Sequence, residues 1–183
     1  SALAALTSGA KNTAVGYQAL TTTDTGIENT AVGYQAGTAV ASGGNYNTLV
    51  GNLAGGSVST GDHNTLIGKK ASNTGSNDLS TGSSNTIIGS DALANASGAS
   101  NRTAIGYGAT AQADDSVTLG NGDVTKVYAA QDSGAVIYGA GIQLGAATDT
   151  AVINAVSTDG RDWVAIFHNN TDDSADGGIV VAC

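Results

Sequence analysis

The stretch Asn12-Thr13-Ala14-Val15-Gly16-Tyr17-Gln18-Ala19 decides the fold, because near-copies of it recur through the first two-thirds of the chain. Further copies begin at Asn29, Asn47, Asn64 and Asn85, and two drifted copies begin at Arg102 and Ser116. Each copy has a glycine at the same place: Gly16, Gly33, Gly51, Gly68, Gly89, Gly106 and Gly120. Successive glycines are 17, 18, 17, 21, 17 and 14 residues apart, so length varies only between motifs. This pattern predicts stacked β-strands, since a laddered strand must keep its register while loops can lengthen.

Alternation along each predicted strand assigns its side chains to two faces. The residue before the glycine is always Val, Ile or Leu, and we predict that this row is the repeat core: Val15, Val32, Val50, Ile67, Ile88, Ile105 and Leu119. The residue before that lies on the opposite face and is also mostly apolar, with Leu49, Leu66 and Ile87 as its largest members. A strand that is apolar on both faces is covered on both. We therefore predict that Leu49, Leu66 and Ile87 face partner chains.

These motifs resemble the head repeats of YadA-like trimeric autotransporter adhesins, and they resemble still more the NTAVGYQAL-type repeats of bacteriophage tail fibres. The similarity covers residues 1–128. It implies an all-β fold, a left-handed parallel β-roll of ~17-residue repeats in which three chains pack about a common axis. The closing segment Asp114–Val124 resembles the end of such a head. The 17-residue period and the lack of a heptad stalk and membrane anchor favour the phage fibre over the adhesin.

The period disappears after Tyr128, and residues 129–183 contain short candidate strands separated by Gly, Asp and Asn turns. This part also holds the only Trp and Phe, Trp163 and Phe167. We predict a small all-β domain or tip, with Arg161, Trp163 and His168 as candidate receptor contacts. The alternative is a structural role, in which Trp163 and Phe167 form the core of a small trimeric knob.

Charge and composition exclude several kinds of partner. The net charge is −9, or −27 for three chains (3 × −9), which argues against nucleic acid and anionic membranes as partners. No apolar run approaches the ~20 residues needed to span a bilayer, and no signal peptide is visible. The first residues, Ser1-Ala2-Leu3, resemble the tail of a repeat, so we expect the chain to begin inside a longer array of repeats. The single cysteine, Cys183, lacks a nearby His partner and is interpreted as inert.

Catalytic and cofactor motifs are absent from the sequence, so we predict no enzyme activity, cofactor or metal. Residues 139–145 approximate a dinucleotide fingerprint, but no helix follows, and a β-turn is favoured. His63 precedes a predicted strand and is interpreted as a solvated side chain rather than a metal ligand. Residues 168–176 are rich in oxygen ligands but lack the spacing of a calcium loop.

Three classes of function stay open at this stage. A phage tail fibre is favoured over an adhesin head or another extracellular filament. Such a fibre would lie in the virion and bind other tail proteins and a bacterial glycan or protein receptor. A fibre-borne glycan depolymerase would need paired carboxylates, and Glu28 is the only Glu. An ice-binding solenoid is suggested by the Thr ladder, but we expect those threonines to point into packing. The runner-up fold is a single-chain left-handed helix of hexapeptide repeats, which would need an apolar residue at about every sixth position.

Overall fold

The computed structural model describes residues 1–40 and 43–127. Within those ranges the regular structure consists of short β-strands, and helix is absent from them. The strands are β1 (Thr13–Val15), β2 (Thr30–Val32), β3 (Thr48–Val50), β4 (Thr65–Ile67), β5 (Thr86–Ile88), β6 (Arg102–Ile105) and β7 (Ser116–Leu119). Every strand lies on one copy of the motif. The predicted C-terminal part, 129–183, with Arg161, Trp163 and His168, lies outside the described residues.

Consecutive strands pair in parallel, and their order in the sheet follows their order in the chain. Equivalent motif positions are partners, so Val15 pairs with Val32 and Ile67 with Ile88. The fold is a parallel β-solenoid of about six turns with roughly 17-residue spacing, as the repeats predict. With rungs about 4.8 Å apart, the stack from β1 to β7 is roughly 29 Å long.

The longest spacing between motif glycines, from Gly68 to Gly89, leaves the ladder intact. Strands β4 and β5 pair in the same register as their neighbours. The extra residues form an exposed loop, in which the Asp78 carboxylate accepts hydrogen bonds from the backbone N–H groups of Thr74 and Gly75 at 2.7 and 3.0 Å. The insertion therefore protrudes from the stack.

The prediction of which strand face forms the core is wrong. The interior of the coil is formed by the residue two places before each glycine, and Leu49, Leu66 and Ile87 are completely buried there. The row predicted as core points outward instead: Val15, Val32, Val50, Ile67, Ile88, Ile105 and Leu119 are exposed or half-buried. Leu49, Leu66 and Ile87 thus cannot face partner chains, because the coil itself encloses them.

Small residues across the interior compensate for the large ones on the strands. A Cβ added at Gly37 would meet Leu49 Cδ1 at 2.6 Å, and one added at Gly55 would meet Leu66 Cδ1 at 2.9 Å. In the first turn the strand carries Ala14, and the corner corresponding to Gly37 is filled by the buried Leu20. The interior therefore stays filled although the residue on the strand changes from Ala to Leu, as close packing demands.

The motif Asn is the main polar component of the interior. Asn29, Asn47, Asn64 and Asn85 are completely buried. Each Oδ1 accepts the backbone N–H of the equivalent residue one turn on; for example, Asn64 Oδ1 lies 3.0 Å from Asn85 N. Each Nδ2 donates to a carbonyl of the following turn, as Asn64 does to Gly82 O at 2.9 Å. This asparagine ladder satisfies backbone groups that the three-residue strands leave unpaired.

The motif glycines are required by two constraints at once. Gly51 has φ +137°, a region that side chains rarely adopt. A Cβ at this position would also collide with the carbonyl group of Gly68 in the next turn. The sharp bend and the close approach of neighbouring turns explain why this position alone never varies.

Candidate interaction surface

The outward face of the strands forms one continuous strip of uncharged side chains along the solenoid. Each rung contributes two side chains, a Thr and a Val or Ile, and the last rung contributes Val117 and Leu119. The exposed fractions are 57% at Val15, 37% at Val32, 36% at Ile67, 40% at Ile105 and 49% at Leu119. We call these fourteen positions the outer strip: Thr13, Val15, Thr30, Val32, Thr48, Val50, Thr65, Ile67, Thr86, Ile88, Thr103, Ile105, Val117 and Leu119. It contains no charged residue.

The threonines of the outer strip lie on the outward face of the strands, contrary to the sequence-based prediction. They were expected to point into packing, but each shares the outward face of its strand with the Val or Ile two places on. Thr13 is exposed, and Thr30, Thr48, Thr65, Thr86 and Thr103 are half-buried. The hydroxyl and methyl groups of these side chains are consequently part of the surface.

One edge of the outer strip is bordered by the residue that precedes each motif. These residues are Lys11, Glu28, Tyr46, His63, Ser84, Asn101 and Asp115, and all have positive φ between 52° and 62°. Neighbours in the column pair along the axis. Lys11 Nζ lies 2.7 Å from Glu28 Oε1, and the rings of Tyr46 and His63 stack with centroids 4.7 Å apart. The hydrogen bond to Glu28 and its charge raise the pKa of Lys11.

The other edge is bordered by the residue that follows each glycine: Tyr17, Tyr34, Asn52, Lys69, Ser90, Tyr107 and Asn121. Tyr17, Tyr34 and Tyr107 are 59%, 48% and 70% exposed, as expected for a variable surface position. Tyr17 and Tyr34 stack with their ring centroids 5.5 Å apart. The outer strip is thus flanked on both sides by columns of polar and aromatic side chains.

The asparagine ladder ends at Arg102, which takes the place of the motif Asn in the sixth rung. Its backbone N–H still donates to Asn85 Oδ1 at 3.0 Å, but a guanidinium cannot accept the next N–H. The side chain, only 11% exposed, instead donates to Asp114 Oδ1 at 2.7 Å and to Ala94 O at 2.9 Å. Hydrogen bonds from Ser100 N–H and from Arg102 hold the pKa of Asp114 below its usual value.

The candidate ligand residues do not converge on a catalytic or metal site in the described ranges. His63 stacks on Tyr46, and Glu28 pairs with Lys11. In residues 1–40 and 43–127, no three His, Cys, Asp or Glu side chains are grouped closely enough to hold a metal ion. The candidate receptor contacts Arg161, Trp163 and His168 lie outside these ranges, so they remain predictions.

The fold and its surface define a parallel β-solenoid whose outward strand face is uncharged and combines Thr with Val, Ile and Leu. Comparison with known proteins adds nothing more specific, since no family model, curated protein or solved structure matches the chain. The described part of the chain also contains no helix long and apolar enough to cross a membrane.

Sequence reasoning missed the role of the motif Asn. Its signal was present, because an Asn at the start of five successive copies is unusual beside loops that vary freely. A polar residue that stays constant on the same strand face as Ala14 and Leu49 predicts a buried hydrogen-bonding side chain.

Proposed function

We propose that this chain is a shaft segment of a trimeric fibre, most specifically of a bacteriophage tail fibre that mediates attachment to the bacterial surface. In this proposal it is a structural protein of the virion, without enzyme activity or cofactor, joined to other tail or fibre proteins. The head of a bacterial trimeric adhesin, or another extracellular filament subunit, is the alternative within the same class.

The observation that carries the proposal is the continuous outer strip on a solenoid with strictly constant register. A stack of identical rungs grows lengthwise without a new core, which suits a spacer. Exposed apolar surface that continues along a whole molecule marks an interaction site. A rod that needs lateral partners along its full length fits a bundled shaft better than an isolated binding module.

Receptor contact is proposed for the C-terminal part, at Arg161, Trp163 and His168. Residues beyond 128 are free of the repeat and can therefore build a shaped surface, whereas the solenoid's outer positions are constrained by stacking. We expect the labelled full chain to bind cells of its host bacterium, and Trp163→Ala to weaken binding while the mass of the assembly is unchanged. Polysaccharide turnover that an Asp→Asn change abolishes would contradict the non-enzymatic proposal.

Ice binding is a second candidate, favoured by one observation: the threonine row lies on the surface and not in the packing. The outer strip repeats Thr and Val or Ile at about 4.8 Å along the stack and about 6.6 Å across it, without charge. A regular face of hydroxyl and methyl groups suits ordered water. Thermal hysteresis and inhibition of ice recrystallisation by the chain would support this candidate, and their absence at millimolar concentration would remove it.

A further inference from the structure

We propose that the outer strip is the surface through which copies of this chain pack against one another about a common axis, and that it is covered by the same strip and flanking columns of the other two copies. This inference rests on the proposed trimeric fibre and assigns the face that such a fibre would use. The outer strip takes the partner-facing role that the sequence analysis gave to Leu49, Leu66 and Ile87, which are buried inside the coil.

The dimensions of the surface suit a specific protein interface. The outer strip is roughly 29 Å long, and one rung with its two flanking residues, Lys11 to Tyr17, spans at most about 20 Å, because the chain bends at Lys11 and Gly16. The product is at most about 600 Å², of the same order as the ~800 Å² that each partner buries in a standard interface. The strip without its flanking columns would be too narrow to bury an area of this size.

The composition of the surface follows the pattern of an interface. Its centre is uncharged and combines Thr with Val, Ile and Leu, while the charged groups Lys11, Glu28, Lys69 and Asp115 stand in the flanking columns. All four tyrosines of the described ranges stand there too, and Tyr is enriched at protein interfaces. A charge-free centre within a polar and aromatic rim is typical of a surface that excludes water from its middle.

The period of the surface favours a second copy over an unrelated partner. The side chains of the outer strip recur once per rung, at the same register from β1 to β7. Another stack of this chain has the same spacing, so ridges and grooves stay in step over all seven rungs. A partner without that period would match one or two rungs and then lose contact, leaving most of the apolar surface in water.

A pair of cysteine variants in a Cys183→Ser background tests the assignment without breaking the assembly. Ile67→Cys places a thiol on the outer strip, and the matched control Thr60→Cys places one on an exposed loop of the neighbouring turn. Light scattering first establishes the number of chains, and the rates of maleimide labelling are then compared. We expect Ile67→Cys to react at least tenfold more slowly than Thr60→Cys, and to react at the control rate once the assembly is dissociated.

Ile67→Asp supplies a second readout. Because Ile67 lies outside the coil, the variant should keep its β-sheet circular dichroism but lose assembly, whereas Thr60→Asp should keep both. Equal labelling rates, or an Ile67→Asp variant that stays assembled, would overturn the face assignment and leave the trimeric fibre standing. A wild-type chain that is monomeric would overturn both.

Discussion

At the scale of single residues, the buried asparagine links neighbouring turns through its side-chain hydrogen bonds. The Asn64 side chain binds the turn after it, accepting from Asn85 N–H and donating to Gly82 O. It also donates to Asn47 Oδ1 at 3.1 Å. No apolar residue of similar size could satisfy these groups, which are excluded from water.

Replacing Asn64 by Ala should therefore strongly destabilise the solenoid. Each buried group left without a partner costs about 1–3 kcal/mol, so we expect a loss of roughly 3–6 kcal/mol in the free energy of unfolding, measured by urea denaturation. The control is Asn52→Ala, because Asn52 is exposed. An Asn64→Ala variant as stable as this control would contradict the role of the ladder.

Arg102 and Asp114 give the end of the ladder a predictable response to acid. The pKa of Asp114 is lowered in the folded chain from its usual 3.8 by the hydrogen bonds from Ser100 and Arg102. A carboxyl with a lowered folded pKa contributes stability that is present above its unfolded pKa and is lost as pH falls through the folded pKa. We expect Asp114→Asn to flatten the fall of the melting temperature below pH 4.

Arg102→Gln checks the cause of that response. It should raise the pKa of Asp114 toward its usual value, as followed by NMR titration of the carboxyl carbon. An Asp114→Asn variant with the same acid slope as the wild type would show that other carboxyl groups govern acid unfolding.

At the scale of the strand, the sequence predicted the element and its register but reversed its faces. Both rows are apolar, so alternation alone could not tell inside from outside. The deciding information was the Asn that begins the first five copies, because it shares a face with Leu66 and not with Ile67. A buried Asn needs the enclosed carbonyls of neighbouring turns. Gly37 and Gly55 also identify the inner face, because they make room for Leu49 and Leu66. This relation is visible only in the closed coil, which places the glycines against the leucines.

The reversed faces give Leu66 a structural role and no part in assembly. Leu66→Ala leaves a cavity inside the coil and should lower the free energy of unfolding by about 2–5 kcal/mol. Light scattering should show the same number of chains as in the wild type, because the outer strip is untouched. A Leu66→Ala variant that remains fully folded yet dissociates would instead return Leu66 to the interface.

At the scale of the whole molecule, the repeat predicted the solenoid because constant motifs with variable spacers admit few other folds. The turn geometry was less accessible, since the positive φ of residues such as Lys11, Tyr46 and His63 leaves no mark on residue type. The outer strip could be identified only after the structure had shown which face of each strand points outward. The partner that we propose for the strip is inferred from its length, period and lack of charge, which are properties of the stack and not of any one repeat.

The most direct test of the account is the mass of the full chain in solution by multi-angle light scattering. One chain has a mass of 17.7 kDa, and the proposed trimer predicts about 53 kDa, three times that value, at all concentrations from micromolar upward. A stable mass near 18 kDa would contradict the trimeric fibre, because a monomer would leave the outer strip in water along its whole length.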